Sequence, residues 1–323
     1  MGKKISVLGF AAIFSLAIIS PFTAFAADKL KFATSVKLSA NYFLPMLAAE
    51  EGGFWKQNGL EVEWVAFESG RAHIAAVAAG AVTIGFATTM SEMQAAAAGL
   101  PTHVISALQP KDDFTVWVRT ESRFREPKDL KGARIGVSGY GGIEHAYSRM
   151  IARALGVEKD VRIVSTGGIS SSLAALKAGN IDGVNLPSTT PIINLKVSGD
   201  VREFLQIENY RPKEWITFVI TARKDFSKKS PDLVKRAVKS VLQATDFITK
   251  NPRWAIEKMK SKDLVGYPEE AAKLVYNSIT WSKDGRITRT ALENVRNFLI
   301  EYGIITKEKA PSLEEFFTDE FLS

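Results

Sequence analysis

Two stretches of this sequence align with each other without a gap. Residues 62–89 lie over residues 161–188 at a constant offset of 99, and apolar positions match along the whole run. Each copy has the pattern of a strand, a polar loop, a helix and a second strand, with Gly80 or Gly179 where a helix ends on a left-handed residue. Any two β–α–β units share part of this pattern, but the ungapped match favours duplication. The repeat therefore predicts two lobes of the same α/β design.

The length of the chain agrees with two hydrophobic cores. It has 323 residues, 46% of them hydrophobic, whereas a single core stops growing near about 250 to 300 residues. Short apolar runs alternate with longer helical stretches along the chain. This alternation is typical of mainly parallel sheets flanked by helices.

The N-terminus has the pattern of an export signal. Lys3 and Lys4 precede an apolar run from Ile5 to Ile19, and Ala24-Phe25-Ala26 follows as a small-residue cleavage site. Residues 1–26 are therefore predicted to be a secretory signal peptide, and the mature protein is expected in the periplasm. The chain has no cysteine, which excludes disulfides, thiolate metal sites and a lipid-carrying cysteine.

The charge of the mature chain is modest. Without the two lysines of the signal it has 40 basic and 35 acidic residues, a net charge of +5. Its densest basic run, Lys224 to Lys229, has only Phe226 as an aromatic within it, and a solvated face explains it better than a nucleic-acid groove. No nucleic-acid partner is expected.

Two strand-like runs predict where the chain passes between the lobes. Residues 114–119 lead out of the first lobe, and residues 215–223 lead back about a hundred residues later. This pair predicts a two-stranded hinge. The expected division is 27–118 and 217–323 for a discontinuous first lobe and 119–216 for the second.

A glycine-rich loop follows an apolar run in the second lobe. It reads G-V-S-G-Y-G-G-I-E-H from Gly136 to His145 and precedes the amphipathic pattern of a helix. A dinucleotide fingerprint starting at Gly139 would need a third glycine where Glu144 stands, and no Gly-Lys-Ser/Thr follows for a P-loop. The loop is therefore expected to hold a smaller anion through its N–H groups and the helix N-terminus.

The sequence has no pattern that indicates catalysis or metal binding. Its three histidines, His73, His103 and His145, lack any metal-ligand spacing. Ser138 is not in the G-x-S-x-G turn of a nucleophile. No cofactor and no metal are expected, and the protein is predicted not to be an enzyme.

Loops at the other strand ends carry residues suited to an anion. In open α/β sheets, ligands bind at the carboxyl ends of the strands, where such loops gather. The loop with Lys37 and Asn41, the loop with Ser69 and Arg71, and the turn at Thr88-Thr89 belong to the first lobe. Arg71 has the planar fork that suits a carboxylate or sulfonate, although each such residue could equally cap a helix or cover a surface.

Three segments resemble a known family. L-P-M-L-A-A-E-E-G-G-F-W-K-Q-N-G-L-E-V-E-W-V, L-K-G-A-R-I-G-V and L-A-A-L-K-A-G-N-I-D-G-V are similar to the nitrate/sulfonate/taurine group of periplasmic substrate-binding proteins of ABC importers. That group also includes binders of thiamine precursors, whose cysteine-rich signature is absent here. The resemblance implies a type II two-lobed periplasmic binding protein, with two mainly parallel sheets flanked by helices and joined by two hinge strands. It also implies a permease and its ATPase as partners, and the protein is expected to be a monomer.

The expected ligand is a small organic anion, a sulfonate or carboxylate whose body can be aromatic. Its apolar part would lie against Tyr42 or Trp117. A pyrimidine-precursor binder or related enzyme using His73 or Lys37, and a ligand sensor for a signalling receptor, remain alternatives. The resemblance and the strand-end pattern together predict these ligand-binding residues: Lys37, Leu38, Asn41, Tyr42, Ser69, Gly70, Arg71, Thr88, Thr89, Trp117, Tyr140, Gly141, Gly142, Gly168, Ile169, Ser170 and Ser188.

Overall fold

The computed structural model describes residues 27–34, 39–67, 70–111 and 113–322. Lys37, Leu38, Ser69 and the side chain of Arg71, all predicted to bind the ligand, lie outside this description, as does the predicted signal peptide. The described strands are β1 (Asp28–Thr34), β2 (Leu60–Ala66), β3 (Ile84–Thr88), β4 (Thr102–Gln109), β5 (Phe114–Arg119), β6 (Arg134–Val137), β7 (Arg162–Ser165), β8 (Gly183–Pro187), β9 (Val201–Gln206) and β10 (Phe218–Arg223).

Helices occupy most of the chain between and after these strands. The described helices are α1 (Ala40–Glu51), α2 (Phe54–Gln57), α3 (Gly70–Ala78), α4 (Thr89–Ala97), α5 (Ile143–Ala154), α6 (Ile169–Lys177), α7 (Ile192–Val197), α8 (Lys224–Lys229), α9 (Pro231–Lys250), α10 (Pro252–Met259), α11 (Glu269–Ser278), α12 (Arg289–Glu301) and α13 (Leu313–Phe316). In the described part of the chain, no helix is long and apolar enough to span a membrane.

The described strands form two sheets with the same topology. The first has the order β2-β1-β3-β10-β4, and the second has the order β7-β6-β8-β5-β9. In each sheet one strand is antiparallel to both of its neighbours: β10 in the first and β5 in the second. Each sheet with its flanking helices is one lobe, so the predicted two-lobed α/β fold is confirmed.

The internal repeat matches the element bounds. Helices α3 and α6, and strands β3 and β8, begin and end at positions that differ by 99. Gly80 and Gly179 have φ angles of 72° and 73°, the left-handed conformation expected after each helix. The repeat therefore describes the central unit of both lobes.

The two crossing strands lie in different sheets. Strand β5 pairs with β8 and β9 over its whole length, and the chain has therefore entered the second sheet before Phe114. The expected boundary after Val118 put this strand in the first lobe. Its pairing partners lie 65 to 91 residues further along the chain, and a local sequence pattern could not reveal them.

The C-terminal helices contact both lobes. Helix α9 packs on α1 and α2 of the first lobe, whereas α11 packs on α7 of the second. Phe298 of α12 makes an edge contact with Tyr147 of α5 at 6.1 Å between ring centroids. The expected assignment of residues 217–323 to the first lobe alone is therefore incomplete.

A buried carboxyl group lies inside the first lobe. Glu92 of α4 is 2% exposed, and burial raises its pKa to about 7, although the side chains of Thr102 and Thr221 oppose that rise. Thr102 is in β4 and Thr221 is in β10, so this carboxyl group lies against the returning crossing strand. A charged carboxylate at this position would be poorly solvated.

Glu92→Gln should change the pH dependence of stability. The folded protein retains this proton up to about pH 7, while the unfolded chain releases it near pH 4.5. The Glu92 contribution to the free energy of unfolding therefore falls as the pH rises through this window, by about 3 kcal/mol in all. Urea unfolding between about pH 4.5 and about pH 7 should show that wild type loses stability relative to Glu92→Gln as the pH rises. If the stabilities of the two proteins depend on pH in the same way, Glu92 is not protonated in the folded protein.

Candidate functional site

A cavity of about 490 Å³ lies where strand ends of the two lobes meet. Its walls come from the segments after β2, β3, β6 and β7 and from the helices that begin there. This is the position expected for a ligand in open α/β sheets. The described lining residues are Tyr42, Gly70, Ile74, Thr88, Ser91, Gln94, Ser138, Gly139, Tyr140, Gly141, Gly142, Ile143, Glu144, Ser165 and Gly167.

The glycine-rich loop forms the wall of the second lobe. Gly141 has a φ angle of 82°, a left-handed conformation that a side chain would strain. A Cβ atom added there would come within 3.8 Å of Gln94 Oε1 in α4 of the first lobe. The loop therefore approaches the opposite lobe closely at this point.

Tyr140 stands at the edge of the cavity. Its side chain is 55% exposed, and its hydroxyl donates a hydrogen bond to the Ile163 carbonyl at 3.3 Å. Its ring makes an edge contact with His145 at 5.5 Å between centroids. An exposed aromatic ring beside a cavity can cover the apolar part of a ligand.

Glu144 lies in the cavity wall and closes the loop. Its Oε2 accepts hydrogen bonds from the Ser138 backbone N–H, at 2.8 Å, and from the Ser138 hydroxyl. Burial raises the pKa of this carboxyl group, and the Ser138 hydrogen bonds oppose that rise. Glu144 stands where a dinucleotide fingerprint would have its third glycine. It thus places its own carboxyl group at the N-terminus of α5.

His145 holds the same loop from the other side. Its Nδ1 accepts a hydrogen bond from the Gly141 backbone N–H at 3.2 Å, which requires that Nδ1 carry no proton. Burial and the charge of Arg149 both lower the pKa of His145. The imidazole is therefore held neutral and acts as a support of the loop.

Hydroxyl groups and an aromatic ring form the wall of the first lobe. Thr88 caps α4 by accepting from the Ser91 N–H at 3.2 Å, and its hydroxyl lies 2.7 Å from the Ser91 hydroxyl. The Tyr42 ring stacks on Phe86 at 6.0 Å between centroids. This wall offers hydroxyl groups beside an apolar surface.

The structure brings together part of the predicted site. Tyr42, Gly70, Thr88, Tyr140, Gly141 and Gly142 line the cavity. Seven other predicted residues are described but do not line it: Asn41, Thr89, Trp117, Gly168, Ile169, Ser170 and Ser188. Gly168, Ile169 and Ser170 begin α6.

Trp117 belongs to the core of the second lobe. Its side chain is fully buried, and its indole N–H donates to the Leu186 carbonyl at 2.8 Å. Trp117 was predicted to lie against the apolar body of the ligand, but it lies in the middle of β5, between β8 and β9. The Thr89 hydroxyl donates a hydrogen bond to the Thr217 carbonyl, and the Ser188 hydroxyl donates one to the Asp113 carboxylate.

Asn41 takes part in a contact between the lobes. Its amide donates to the Thr189 hydroxyl at 2.8 Å, and both residues are buried. The Thr189 carbonyl accepts from the Ala40 N–H at 3.0 Å and from the Tyr267 hydroxyl at 2.7 Å. Residues from α1 and the C-terminal part thus hold the turn that follows β8.

Several cavity residues were missed by the sequence analysis. Ser91 and Gln94 follow the predicted residue Thr88 at intervals of three, a spacing that places them on one face of a helix and could have indicated them. Glu144 was noticed only as an obstacle to pyrophosphate. The described residues contain no group of three metal-ligating side chains close enough to hold an ion.

Thr189→Val should destabilise the protein by about 1 to 3 kcal/mol, because it leaves the buried Asn41 amide without this acceptor. Asn41→Ala combined with Thr189→Val should cost less than the sum of the two single changes, as expected for residues in contact. Urea unfolding of the four proteins measures the coupling. Additive effects would show that the Asn41 to Thr189 hydrogen bond contributes nothing.

The chain is similar in sequence to proteins of known or proposed function. The family model described as "NMT1/THI5 like" matches residues 40–255. The chain is 28% identical to a taurine-binding periplasmic protein from Escherichia coli over 72% of this chain and 70% of that protein. It is 22% identical to a 4-amino-5-hydroxymethyl-2-methylpyrimidine phosphate synthase from Aspergillus parasiticus over 92% of this chain and 88% of that protein.

Solved structures share the fold. The alkanesulfonate-binding protein from Xanthomonas axonopodis pv. citri, bound to MOPS, superimposes with a TM-score of 0.74 at 16% identity. The match covers 91% of this chain and all of that one. At this identity the likeness concerns the fold alone.

Proposed function

The chain belongs to the NMT1/THI5-like family, and from this membership we propose that it is the solute-binding component of an ABC import system. It would capture a small molecule between its lobes and deliver it to a membrane permease whose ATPase drives import. The observation that carries the proposal is a cavity to which both lobes contribute strand-end loops. Such a site lets ligand contacts to both lobes favour hinge closure.

The proposed ligand is a small organic anion, a sulfonate or a carboxylate. Its acid group would meet the first N–H groups of α5, at Gly142 and Ile143, together with Arg71 at the start of α3. Its body would lie between Tyr42 and Tyr140. The taurine-binding relative and the alkanesulfonate-binding fold neighbour support a sulfonate.

A binding role is proposed over an enzymatic one. Because one relative is a synthase, an enzymatic role is the alternative. An enzymatic role would need a reactive histidine or lysine in the cavity. Among the described lining residues there is neither. His73 is buried in α3 beside the Phe67 ring, and burial lowers its pKa to about 4.

The proposal is tested by calorimetry of the mature protein against ethanesulfonate, benzenesulfonate, taurine and benzoate. At least one of these sulfonates and carboxylates should bind, and mass spectrometry should recover it unchanged after incubation. Arg71→Ala should weaken that binding by about 1.5 to 3 kcal/mol if the guanidinium makes a charge-assisted hydrogen bond.

Lys235→Ala is the matched control, because it removes one positive charge from an exposed position of α9. It should leave the dissociation constant unchanged. Affinity only for compounds without a sulfonate or carboxylate group would refute the proposal, and turnover of the bound compound would favour the enzyme. An equal loss in both variants would show that net charge, and not Arg71, sets the affinity.

We propose that the protein is exported to the periplasm as a monomer after removal of residues 1–26. The mass of protein recovered from a periplasmic extract should then correspond to a chain that begins at Ala27. Recovery of the full-length mass from the membrane fraction would instead indicate an uncleaved anchor.

A further inference from the structure

Glu144 is an ionisable group in the wall of the cavity. It is 7% exposed and lies in the first turn of α5, beside the proposed position of the ligand's acid group. Its Oε2 accepts both Ser138 hydrogen bonds. A negatively charged ligand would therefore enter a cavity that already contains a buried carboxylate.

The described surroundings of Glu144 supply little positive charge. On α5 itself, the neutral His145 is bonded to the glycine loop, and Arg149 pairs with Glu158 at 3.1 Å. The amide of Asn185, from β8, donates to the Glu144 backbone carbonyl and not to its carboxylate.

Opposite α5, helix α3 carries Arg71, the cation that the proposed function assigns to the ligand's acid group and not to Glu144. Across the cavity, α1 and α4 present Tyr42, Ser91 and Gln94, and the loop presents Tyr140. Behind α5, helix α12 meets it through Phe298 and through the Glu301 carbonyl, which accepts from Arg153 at the far end of the helix. Among the described lining residues, none is a lysine or an arginine.

Two negative charges in one desolvated site repel each other strongly, and this repulsion is removed when one of the two groups binds a proton. A sulfonate remains ionised at any pH at which the protein is folded, which leaves Glu144 as the group that changes. We infer that Glu144 takes up one proton from solvent as the ligand's acid group enters the cavity, and that its O–H then donates a hydrogen bond to the ligand. This inference rests on the proposed function.

Burial already favours the neutral acid, because it raises the pKa of Glu144 in the empty protein. The anion would raise that pKa further. Proton uptake is then greatest at pH values between the two pKa values, and in this window affinity should weaken by up to about tenfold for each unit of rising pH. Below the pKa of the empty protein, affinity should become independent of pH.

Proton uptake can be measured directly. Ethanesulfonate and benzenesulfonate are titrated into the mature protein in pairs of buffers that differ in ionisation enthalpy, over a pH range that begins near the ordinary glutamate pKa of about 4.3 and extends upward. The difference in observed heat between paired buffers counts the protons taken up. We expect up to one proton per ligand bound and an affinity that decreases as the pH rises.

Glu144→Gln resembles the protonated acid in shape, and it should abolish both the proton uptake and the pH dependence of binding. Ser138→Ala removes one hydrogen bond that favours the carboxylate, so it should shift the onset of uptake to higher pH. In His145→Gln the uptake should persist. Loss of proton uptake in His145→Gln, with proton uptake retained in Glu144→Gln, would assign the proton to the imidazole and overturn the inference.

Other outcomes separate this inference from the proposed function. Binding of either sulfonate by wild type with no proton uptake and no pH dependence overturns the inference and leaves the function standing. The same holds if taurine, which carries an ammonium group, binds far more tightly than ethanesulfonate without proton uptake, because Glu144 would then be facing the ligand's N–H. Failure of every anion to bind at any pH refutes the proposed function, and the inference falls with it.

Discussion

The two lobes exchange strands, and the position of the cavity depends on that exchange. Strand β5 follows β4 of the first sheet but pairs in the second, and β10 follows β9 of the second sheet but pairs in the first. Each crossing strand is antiparallel to its neighbours, so the remaining strands of each sheet run in one direction, and the segments after β2, β3, β6 and β7 reach the cavity. Because the sheets are joined only by these crossings among the described strands, the lobes can meet over a ligand without sharing a sheet.

The sequence predicted the architecture well because the repeat is local in each copy. The bounds of α3 and α6 follow from apolar spacing and from glycines that end helices, both of which act within a few residues. The strand partner of residues 114–119 was not predictable in this way, since register and sheet membership depend on distant residues. Trp117 was predicted to contact the apolar part of the ligand, but these distant strand partners bury its indole against β8.

The site was predictable at the level of its loops and less so at the level of its side chains. Tyr42, Thr88 and the glycine loop line the cavity, as expected from strand-end positions. Asn41 was a reasonable candidate for an anion, but its amide donates to Thr189 of the other lobe. Glu144 shows the opposite case. In the sequence it argues against a dinucleotide ligand, whereas in the structure it lies in the wall of the cavity. A polar residue near a strand end can bind a ligand, hold a loop or join lobes, and only its partners distinguish these roles.

The central claim is that the cavity between the lobes captures a small organic anion. Native mass spectrometry of protein purified without dialysis tests it most directly, because a ligand held between closed lobes can survive purification. The account predicts a bound compound bearing a sulfonate or a carboxylate, which unfolding releases. A bound compound that has neither a sulfonate nor a carboxylate, or no bound compound after exposure to the four test ligands, would contradict it.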